Sequence, residues 1–152
     1  MISTPKYHNT RVYLDPHTGK VTGNRVSPLQ VKFDSKLEYG VYRAICRQIP
    51  CRWVELQPKI LTKPATSIYP ESYWRADFAI PKLGLIVEAK GLPQREWLLE
   101  MQMWQSHYPY DFSKLVVVST MRRVIDKAIS SITPWDLEQL LKERVRALIS
   151  TL

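Results

Sequence analysis

The sequence has only two cysteines in 152 residues, Cys46 and Cys51. A small secreted domain held together by disulfides needs a larger, evenly spaced set, so the cysteines disfavour that class and we expect two reduced thiols. A structural zinc site would need further ligands. His8, His17 and His107 show no ligand-like spacing with each other or with the cysteines, so we expect no structural zinc.

Long apolar runs are also missing. No segment approaches the roughly 20 apolar residues of a transmembrane helix. The first residues, MISTPKYHNTRVYLDP, lack the uninterrupted apolar core of a signal peptide. We therefore expect a soluble, cytoplasmic protein that does not contact a membrane.

Acidic residues are fewer than basic ones. The chain has 14 Asp and Glu against 22 Lys and Arg, a formal net charge of +8. A positive field of this kind attracts polyanions, which makes nucleic acid the first candidate partner. A surplus of this size can equally serve solubility, so charge alone leaves both readings open.

The length and the 45% hydrophobic content fit one compact domain spanning residues 1–152. Residues 1–32 are basic and rich in Pro, Gly, Asn and Thr, with turn signals at Asp15-Pro16 and Thr18-Gly19. We expect an irregular N-terminal arm there, with room for a short hairpin. Such an arm could lie along DNA, embrace a second subunit, or be a partly disordered terminus.

The rest of the chain shows alternating helix and strand patterns. They predict a helix from Phe33 to Pro50, capped by Asp34 or Ser35, an extended stretch over 52–62 interrupted at Pro58, strands over 73–80 and 85–90 joined by a turn at 81–84, a helix over 94–106, a strand over 114–119 and a final helix capped by Thr133. This order fits a mixed sheet flanked by helices, an α/β (α+β) fold. Trp97, Met101 and Trp104 share one helix face, which we assign to the core or to a subunit interface.

Two carboxylates should meet in the predicted hairpin. In a hairpin centred on residues 82 and 83, Asp77 lies opposite Glu88 with both side chains on one face, and Lys90 follows on the same face. Facing carboxylates repel unless a cation lies between them, and a hard divalent ion resolves the repulsion. The alternative is a solvated surface hairpin in which Glu88 pairs with Lys90 or Arg75, but the apolar flanks of this strand disfavour it.

Glu38 is a further candidate. With Val41 and Ile45 it occupies positions i, i+3 and i+7 of the first helix, so its carboxylate can point towards the sheet. Residues 35–38 also match a capping box, in which Glu38 would only satisfy a backbone N–H. The helix pattern leaves both possibilities open.

Four segments in order resemble the motifs of the PD-(D/E)XK nuclease superfamily. They are FDSKLE at 33–38, LQPK at 56–59, RADF at 75–78 and VEAKG at 87–91. Within that superfamily they are similar to small phage and prophage endonucleases and to archaeal-type Holliday junction resolvases. The resemblance covers roughly residues 31–120 and departs from the pattern at Ala76, where the name of the superfamily has proline.

The resemblance implies a restriction-endonuclease-like core and a magnesium site, with manganese as a substitute. Asp77, Glu88 and the Ala89 carbonyl would bind the metal, and Glu38 would bind it directly or through water. Lys90 would orient or help to deprotonate the attacking water. The donor chemistry agrees, because oxygen ligands favour magnesium or manganese.

The resemblance further implies a metal-dependent endonuclease that hydrolyses DNA phosphodiesters, with branched DNA such as a Holliday junction as substrate. A homodimer is expected because two strands are cut, and a phage-encoded enzyme would act in the host cytoplasm. The rivals are a transposon-end or restriction-like endonuclease that acts with a partner, and a non-catalytic DNA-binding module on the same fold. Gln57 is a weaker accessory candidate. The basic residues that could hold flanking phosphates are Arg75, Lys59, Lys63, Arg95, Lys6 and Arg11, and also Arg122, Arg123 and Lys127.

Overall fold

The computed structural model of the chain describes residues 10–152, so the expectations for Lys6 and His8 lie outside the described residues. The strands are Val12–Leu14 (β1), Val21–Thr22 (β2), Val31–Phe33 (β3), Glu55–Leu56 (β4), Lys59–Lys63 (β5), Ser72–Arg75 (β6), Phe78–Ile80 (β7), Leu85–Ala89 (β8), Leu115–Val118 (β9), Arg123–Asp126 (β10) and Ile129–Ile132 (β11). The helices are Lys36–Gln48 (α1), Arg95–His107 (α2), Pro109–Phe112 (α3) and Pro134–Ser150 (α4), with short 3-10 helices at Cys51–Trp53 and Pro81–Leu83. Across residues 10–152, no helix combines the length and apolar character needed to cross a membrane.

A six-stranded mixed sheet forms the centre of the fold, in the order β10-β11-β9-β8-β7-β4. β9 runs parallel to both β8 and β11, and the other neighbours are antiparallel. Apolar side chains of α1 and α4 pack on one face of the sheet, and those of α2 pack on the other. The predicted mixed sheet flanked by helices is confirmed.

Helix α1 begins where the sequence places a cap. The Ser35 hydroxyl accepts the backbone N–H of Glu38 at 3.0 Å, and α1 ends two residues before Pro50. Val41 and Ile45 are fully buried against the sheet, as their spacing predicts. The predicted start at Phe33 is too early, because Phe33 lies in β3.

The described part of the predicted arm is folded. β1 and β2 form a hairpin whose turn is closed by hydrogen bonds between Asp15 and Lys20 and between Gly19 and Asp15, with Gly19 at φ 74°. The short hairpin is therefore present in residues 10–32. β3 pairs with the other side of β1, which the sequence pattern did not predict.

The prediction of one strand over 73–80 is wrong. β7 belongs to the central sheet, whereas β6 pairs with β5 in a separate two-stranded sheet. The pairing register nevertheless continues through the break, because the Gln57 N–H donates to the Asp77 carbonyl at 2.9 Å and the Ala76 N–H donates to the Pro58 carbonyl at 3.1 Å. Gln57 has φ 49°, so the chain bends there and carries β5 and β6 away from the sheet. We call β5, β6 and the loop 64–71 the ribbon.

The expectation of two reduced thiols is also wrong. Cys46 and Cys51 are joined by a disulfide, with their Cα atoms 5.1 Å apart. The chain turns back after α1 at Pro50, and the 3-10 helix Cys51–Trp53 brings Cys51 beside the last turns of α1. A spacing of five residues across a helix end is thus short enough to close a local loop.

Candidate active site

The hairpin of β7 and β8 has the predicted register. Phe78 lies opposite Val87 and Ile80 lies opposite Leu85, so the next pair outward is Asp77 and Glu88. The turn is the 3-10 helix Pro81–Leu83, closed by Gly84 in the left-handed region at φ 63°. Asp77 and Glu88 therefore lie next to each other at the ends of the neighbouring strands β7 and β8 of the central sheet.

Direct hydrogen bonds join the two acidic residues to each other's strand. The Asp77 N–H donates to Glu88 Oε1 at 3.1 Å, and the Ala89 N–H donates to Asp77 Oδ2 at 2.8 Å. Glu88 is only 4% exposed. The pair is built into the sheet edge, so the solvated surface hairpin considered from the sequence is wrong for Glu88.

The other oxygen of Glu88 faces Trp97 and Lys90. Trp97 Nε1–H donates to Glu88 Oε2 at 3.1 Å, and Lys90 Nζ lies 3.8 Å from the same oxygen. Lys90 Nζ also lies 5.2 Å from the centroid of the Trp97 ring. Lys90 thus stands beside the carboxylates on the predicted face, with its side chain partly exposed.

Trp97 is a site contact that the sequence reasoning missed. Its burial with Met101 and Trp104 confirms the core assignment, but that assignment gave its indole N–H no partner. A buried indole N–H normally finds an acceptor, and this rule is the signal that could have linked Trp97 to a nearby carboxylate.

Trp97→Phe should therefore lower the free energy of unfolding by about 1–3 kcal/mol, because Glu88 Oε2 loses a buried donor. Trp135→Phe makes the same chemical change at an exposed position of α4 and should cost little. Urea unfolding of both variants measures the difference. Equal costs for the two would show that the bond to Glu88 contributes nothing to stability.

Glu38 takes part in the cap and is also buried near the pair. Its Oε2 accepts the backbone N–H of Asp34 at 2.9 Å, and the residue is only 5% exposed. The capping alternative is thus present in a modified form, because the donor is Asp34 rather than Ser35. The charge of Asp77 is the second largest cause of the raised pKa of Glu38, so the two carboxyls are electrostatic neighbours.

All three carboxyls have raised pKa values. Burial, followed by repulsion from Asp77, raises the pKa of Glu38 to about 8. Burial, followed by repulsion from Glu88, raises the pKa of Asp77. Burial also raises the pKa of Glu88, although hydrogen bonds and Lys90 oppose this effect. Burial, with repulsion acting on Glu38 and Asp77, therefore disfavours the charged forms of these carboxyls, and protons or a bound cation would relieve this.

The donor set suits a hard divalent cation, with one restriction. Within residues 10–152, no group of three or more His, Cys, Asp or Glu side chains is placed to hold a metal ion. Glu38 is accordingly not brought into one ligand set with Asp77 and Glu88. The Ala89 N–H is bonded to Asp77, and the two repelling carboxylates still offer the oxygen atoms that magnesium or manganese takes alongside water.

A cleft of about 610 Å³ is lined by Ala89, Lys90 and Trp97, which neighbour or contact the carboxyl pair, whereas Asp77, Glu88 and Glu38 do not themselves line it. The start of α1, with Ser35 and Lys36, forms one side, and Lys90 with the start of α2 forms another. Two lysines and the N-terminus of α1 make this space favourable for an anion. The cleft has room for a phosphodiester next to Lys36 and Lys90.

The weaker candidates are spread over the molecule. Gln57 lies opposite Asp77 through the backbone bond described above, but its side chain is exposed. Arg75 donates to the Gln57 carbonyl at 3.2 Å, and Lys59 lies opposite Arg75 on the neighbouring strand of the ribbon. Arg75 and Lys59 therefore lie at the end of the ribbon that joins the site.

Among residues 10–152, some of the other basic candidates form no ion pair or side-chain hydrogen bond and others are already engaged. Lys63 lies further along the ribbon, Arg95 is exposed at the start of α2, and Arg11 is half-buried next to β1. Arg122 is already held by Asp136, with Nε and Oδ2 2.7 Å apart, and Arg123 donates to the Gly91 carbonyl at 2.6 Å. An ion-paired guanidinium such as Arg122 is a poorer phosphate contact than one without a carboxylate partner, because the carboxylate already neutralises its charge.

A scan against protein-family models finds no match to this chain, and searches of curated proteins and of solved structures find none either. The support for a function therefore comes from the side chains of the site, namely the hairpin carboxylates, Lys90 and the neighbouring cleft.

Proposed function

We propose that this chain is a divalent-metal-dependent endonuclease that hydrolyses DNA phosphodiesters. The observation that carries the proposal is the buried pair Asp77 and Glu88, held side by side with raised pKa values next to Lys90 and the cleft. A purely structural role does not account for two repelling carboxylates at this depth, because an apolar pair would be more stable there.

The residues divide the chemistry among them. Asp77, Glu88 and the Ala89 carbonyl would hold magnesium, or manganese as a substitute, and Glu38 would act through water. The ion supplies charge neutralisation at the phosphate and lowers the pKa of bound water. Lys90, with Nζ 3.8 Å from Glu88, orients the attacking water and stabilises negative charge that develops on the phosphate oxygens.

The fold supports the same proposal. A mixed sheet carries the acidic residues on an antiparallel hairpin, with a helix glutamate next to them and helices on both faces. This arrangement agrees with a restriction-endonuclease-like core, and the order of the four motifs resembles the PD-(D/E)XK superfamily. The net charge of +8 suits a DNA substrate.

We further propose branched DNA, such as a Holliday junction, as substrate and a homodimer as the acting form. Symmetric cutting of two strands needs two sites, which a two-fold dimer supplies. A transposon-end or restriction-like endonuclease would instead need a preferred sequence and a partner protein. A non-catalytic DNA-binding module would have no use for repelling carboxylates beside a phosphate.

The test is cleavage of a labelled four-way junction, with linear duplex and single strand alongside, in magnesium, manganese, calcium or EDTA. We expect paired nicks in the junction with magnesium or manganese and none with EDTA. Changing the arm sequences should leave junction cleavage intact, whereas a sequence-specific enzyme would lose it. Binding without cleavage in every metal would instead favour the binding module.

A further inference from the structure

The ribbon leads directly away from the candidate site. Asp77 follows Ala76 at the base of β6, and the Gln57 N–H ties the other side of that base to Asp77. A strand of nucleic acid that is cut at Asp77 must therefore pass the ribbon or leave in the opposite direction. The surface of the ribbon decides which path is favourable.

The inner face of the ribbon is already occupied. Trp74 packs against Trp104 of α2 with ring centroids 5.5 Å apart, and Thr62 donates to Glu100 of α2 at 2.9 Å. Ile60 packs in the same apolar cluster. These contacts fix the ribbon on α2 and turn its other face to solvent.

The outer face alternates cations with aromatic rings. Lys59 lies opposite Arg75, and Lys59 Nζ is 4.0 Å from the centroid of the Tyr73 ring. Near the tip, Lys63 Nζ is 5.8 Å from the centroid of the Tyr69 ring. Tyr73 is 40% and Tyr69 is 65% exposed, so both rings present area to solvent.

The cations of this face are not neutralised. Within residues 10–152, Lys59, Lys63 and Arg75 form no ion pair, unlike Arg47 and Arg122 elsewhere on the surface. The acidic residue of the ribbon, Glu71, accepts the hydroxyl hydrogen of Tyr73 at 2.5 Å. The face therefore keeps a positive excess next to two exposed rings.

The tip is held in a defined shape. The Tyr69 N–H donates to Thr66 Oγ1 at 2.9 Å, and the Thr66 N–H donates to the Tyr69 carbonyl at 2.8 Å. Tyr69 and its neighbour Ile68 are thus presented by a closed turn. A backbone turn that is already closed limits the conformational entropy lost when a base stacks on Tyr69.

We propose that the outer face of the ribbon binds an unpaired DNA strand that leads into the candidate site. Lys59 and Arg75 contact its phosphates, and Tyr73 and Tyr69 stack on its bases. Cations interleaved with aromatic rings are the usual means of binding single strands, since base faces are accessible to a protein ring only when unpaired. The inference rests on the proposed function and specifies its substrate as DNA with an unpaired segment beside the cut.

The test is fluorescence anisotropy of a labelled 20-nucleotide single strand and of its duplex, both in EDTA so that no cutting occurs. Tyr69→Ala/Tyr73→Ala should weaken single-strand binding by about tenfold or more, with little change for the duplex. Tyr69→Phe/Tyr73→Phe keeps the rings and should bind like the wild type. All four tyrosine changes are at exposed positions, and circular dichroism checks that the fold is kept.

The charge part is tested by the salt dependence of binding. Lys59→Ala/Arg75→Ala should make the slope of log affinity against log salt less steep by about 1.4, the value for two lost phosphate contacts on a single strand. Lys142→Ala/Arg146→Ala removes the same charge from exposed positions of α4 and should leave the slope unchanged. Equal changes of the salt slope in the two double variants would mean that the ribbon contributes only to the overall positive charge of the protein. That result would overturn the inference.

The results separate this inference from the proposed function. Unchanged single-strand binding in the alanine variants, with cleavage present in the wild type, overturns the ribbon alone. Ribbon-dependent binding without cleavage in any metal supports the ribbon and overturns the hydrolase. A wild type that binds no single strand overturns the inference whatever the cleavage result.

Discussion

Asp77→Asn should lower the rate of DNA cleavage by more than about 10³-fold while the protein becomes more stable without metal. The rate falls because asparagine removes one of the two anionic ligands of the proposed metal. The stability rises because Asp77 is buried beside Glu88, and burial with like-charge repulsion raises its pKa. Asparagine keeps an oxygen that can still accept the Ala89 N–H.

Single-turnover cleavage of the four-way junction and thermal unfolding in EDTA at pH 8 measure the two effects. Glu88→Gln should lower the cleavage rate similarly but without the gain in stability, because both Glu88 oxygens accept N–H groups and the glutamine amide nitrogen cannot. The Asp77→Asn/Glu88→Gln double variant should cut no more slowly than either single variant, because the two groups act as a unit. Lys90→Ala should cost about 10²–10³-fold, the usual effect of removing a group that stabilises developing charge. Glu143→Gln, an exposed carboxylate on α4, is the matched control.

Loss of activity together with loss of stability would contradict this account, since it would mean that Asp77 supports the fold rather than the reaction. A wild-type cleavage rate in Asp77→Asn would show that the proposed active site is wrong. The combination of a stabilised and inactive variant is the distinctive result, because random core damage does not produce it.

The hairpin that carries the site could be predicted because its determinants are local. Pro81 and Gly84 fix the turn, and the turn fixes the register, so Asp77 and Glu88 were paired from the sequence alone. Ser35 and Thr133 likewise marked the starts of α1 and α4, because a cap depends on the few residues that follow it.

The missing parts of the fold depend on contacts between distant segments. β10 and β11 were not predicted, since β11 is a short strand stabilised by its place beside β9 rather than by its own pattern. The interruption at Pro58 was predicted and is confirmed, because β4 ends at Leu56 and β5 begins at Lys59. The bend at Gln57 was missed because a single left-handed residue that is not glycine leaves no mark in an alternating pattern. The split of 73–80 into β6 and β7 follows from that bend.

The bond from Trp97 to Glu88 shows the same limit at the site. Trp97 follows Glu88 by nine positions, a stretch that includes the start of α2, and only the packing of that helix on β8 decides which acceptor the indole meets. The sequence therefore predicted the charged residues of the site through strand alternation, whereas their orienting neighbour comes from tertiary packing.

Raising the pH from 5 to 8 should destabilise the metal-free protein, and Glu38 should be a main cause. Its pKa is about 8 in the fold against 4.5 as the ordinary value, so the folded chain binds the proton more tightly than the unfolded chain. Stability from this group is complete below about pH 4.5 and is lost as the pH rises through about 8. At about 1.36 kcal/mol per pKa unit, the raised pKa of Glu38 corresponds to about 4–5 kcal/mol of unfolding free energy.

Urea unfolding in EDTA across this pH range measures the effect. Glu38→Gln should remove a large part of the slope, because glutamine stays neutral, and the exposed Glu143→Gln should keep it. Asp77 and Glu88 also have raised pKa values and act in the same direction, so a residual slope should remain in Glu38→Gln. Stability that stays level or increases towards pH 8 in the wild type would contradict the prediction.

Magnesium should reverse this destabilisation, since a ligand that binds only the folded chain stabilises it by RT ln(1 + [L]/Kd). The gain should be larger at pH 8 than at pH 5, because protons compete for the same carboxylates. It should disappear in Asp77→Asn and persist, reduced, in Glu38→Gln, because Glu38 is not in one ligand set with the pair. An undiminished gain in Asp77→Asn would place the bound magnesium elsewhere on the molecule, and complete loss in Glu38→Gln would make Glu38 a direct ligand.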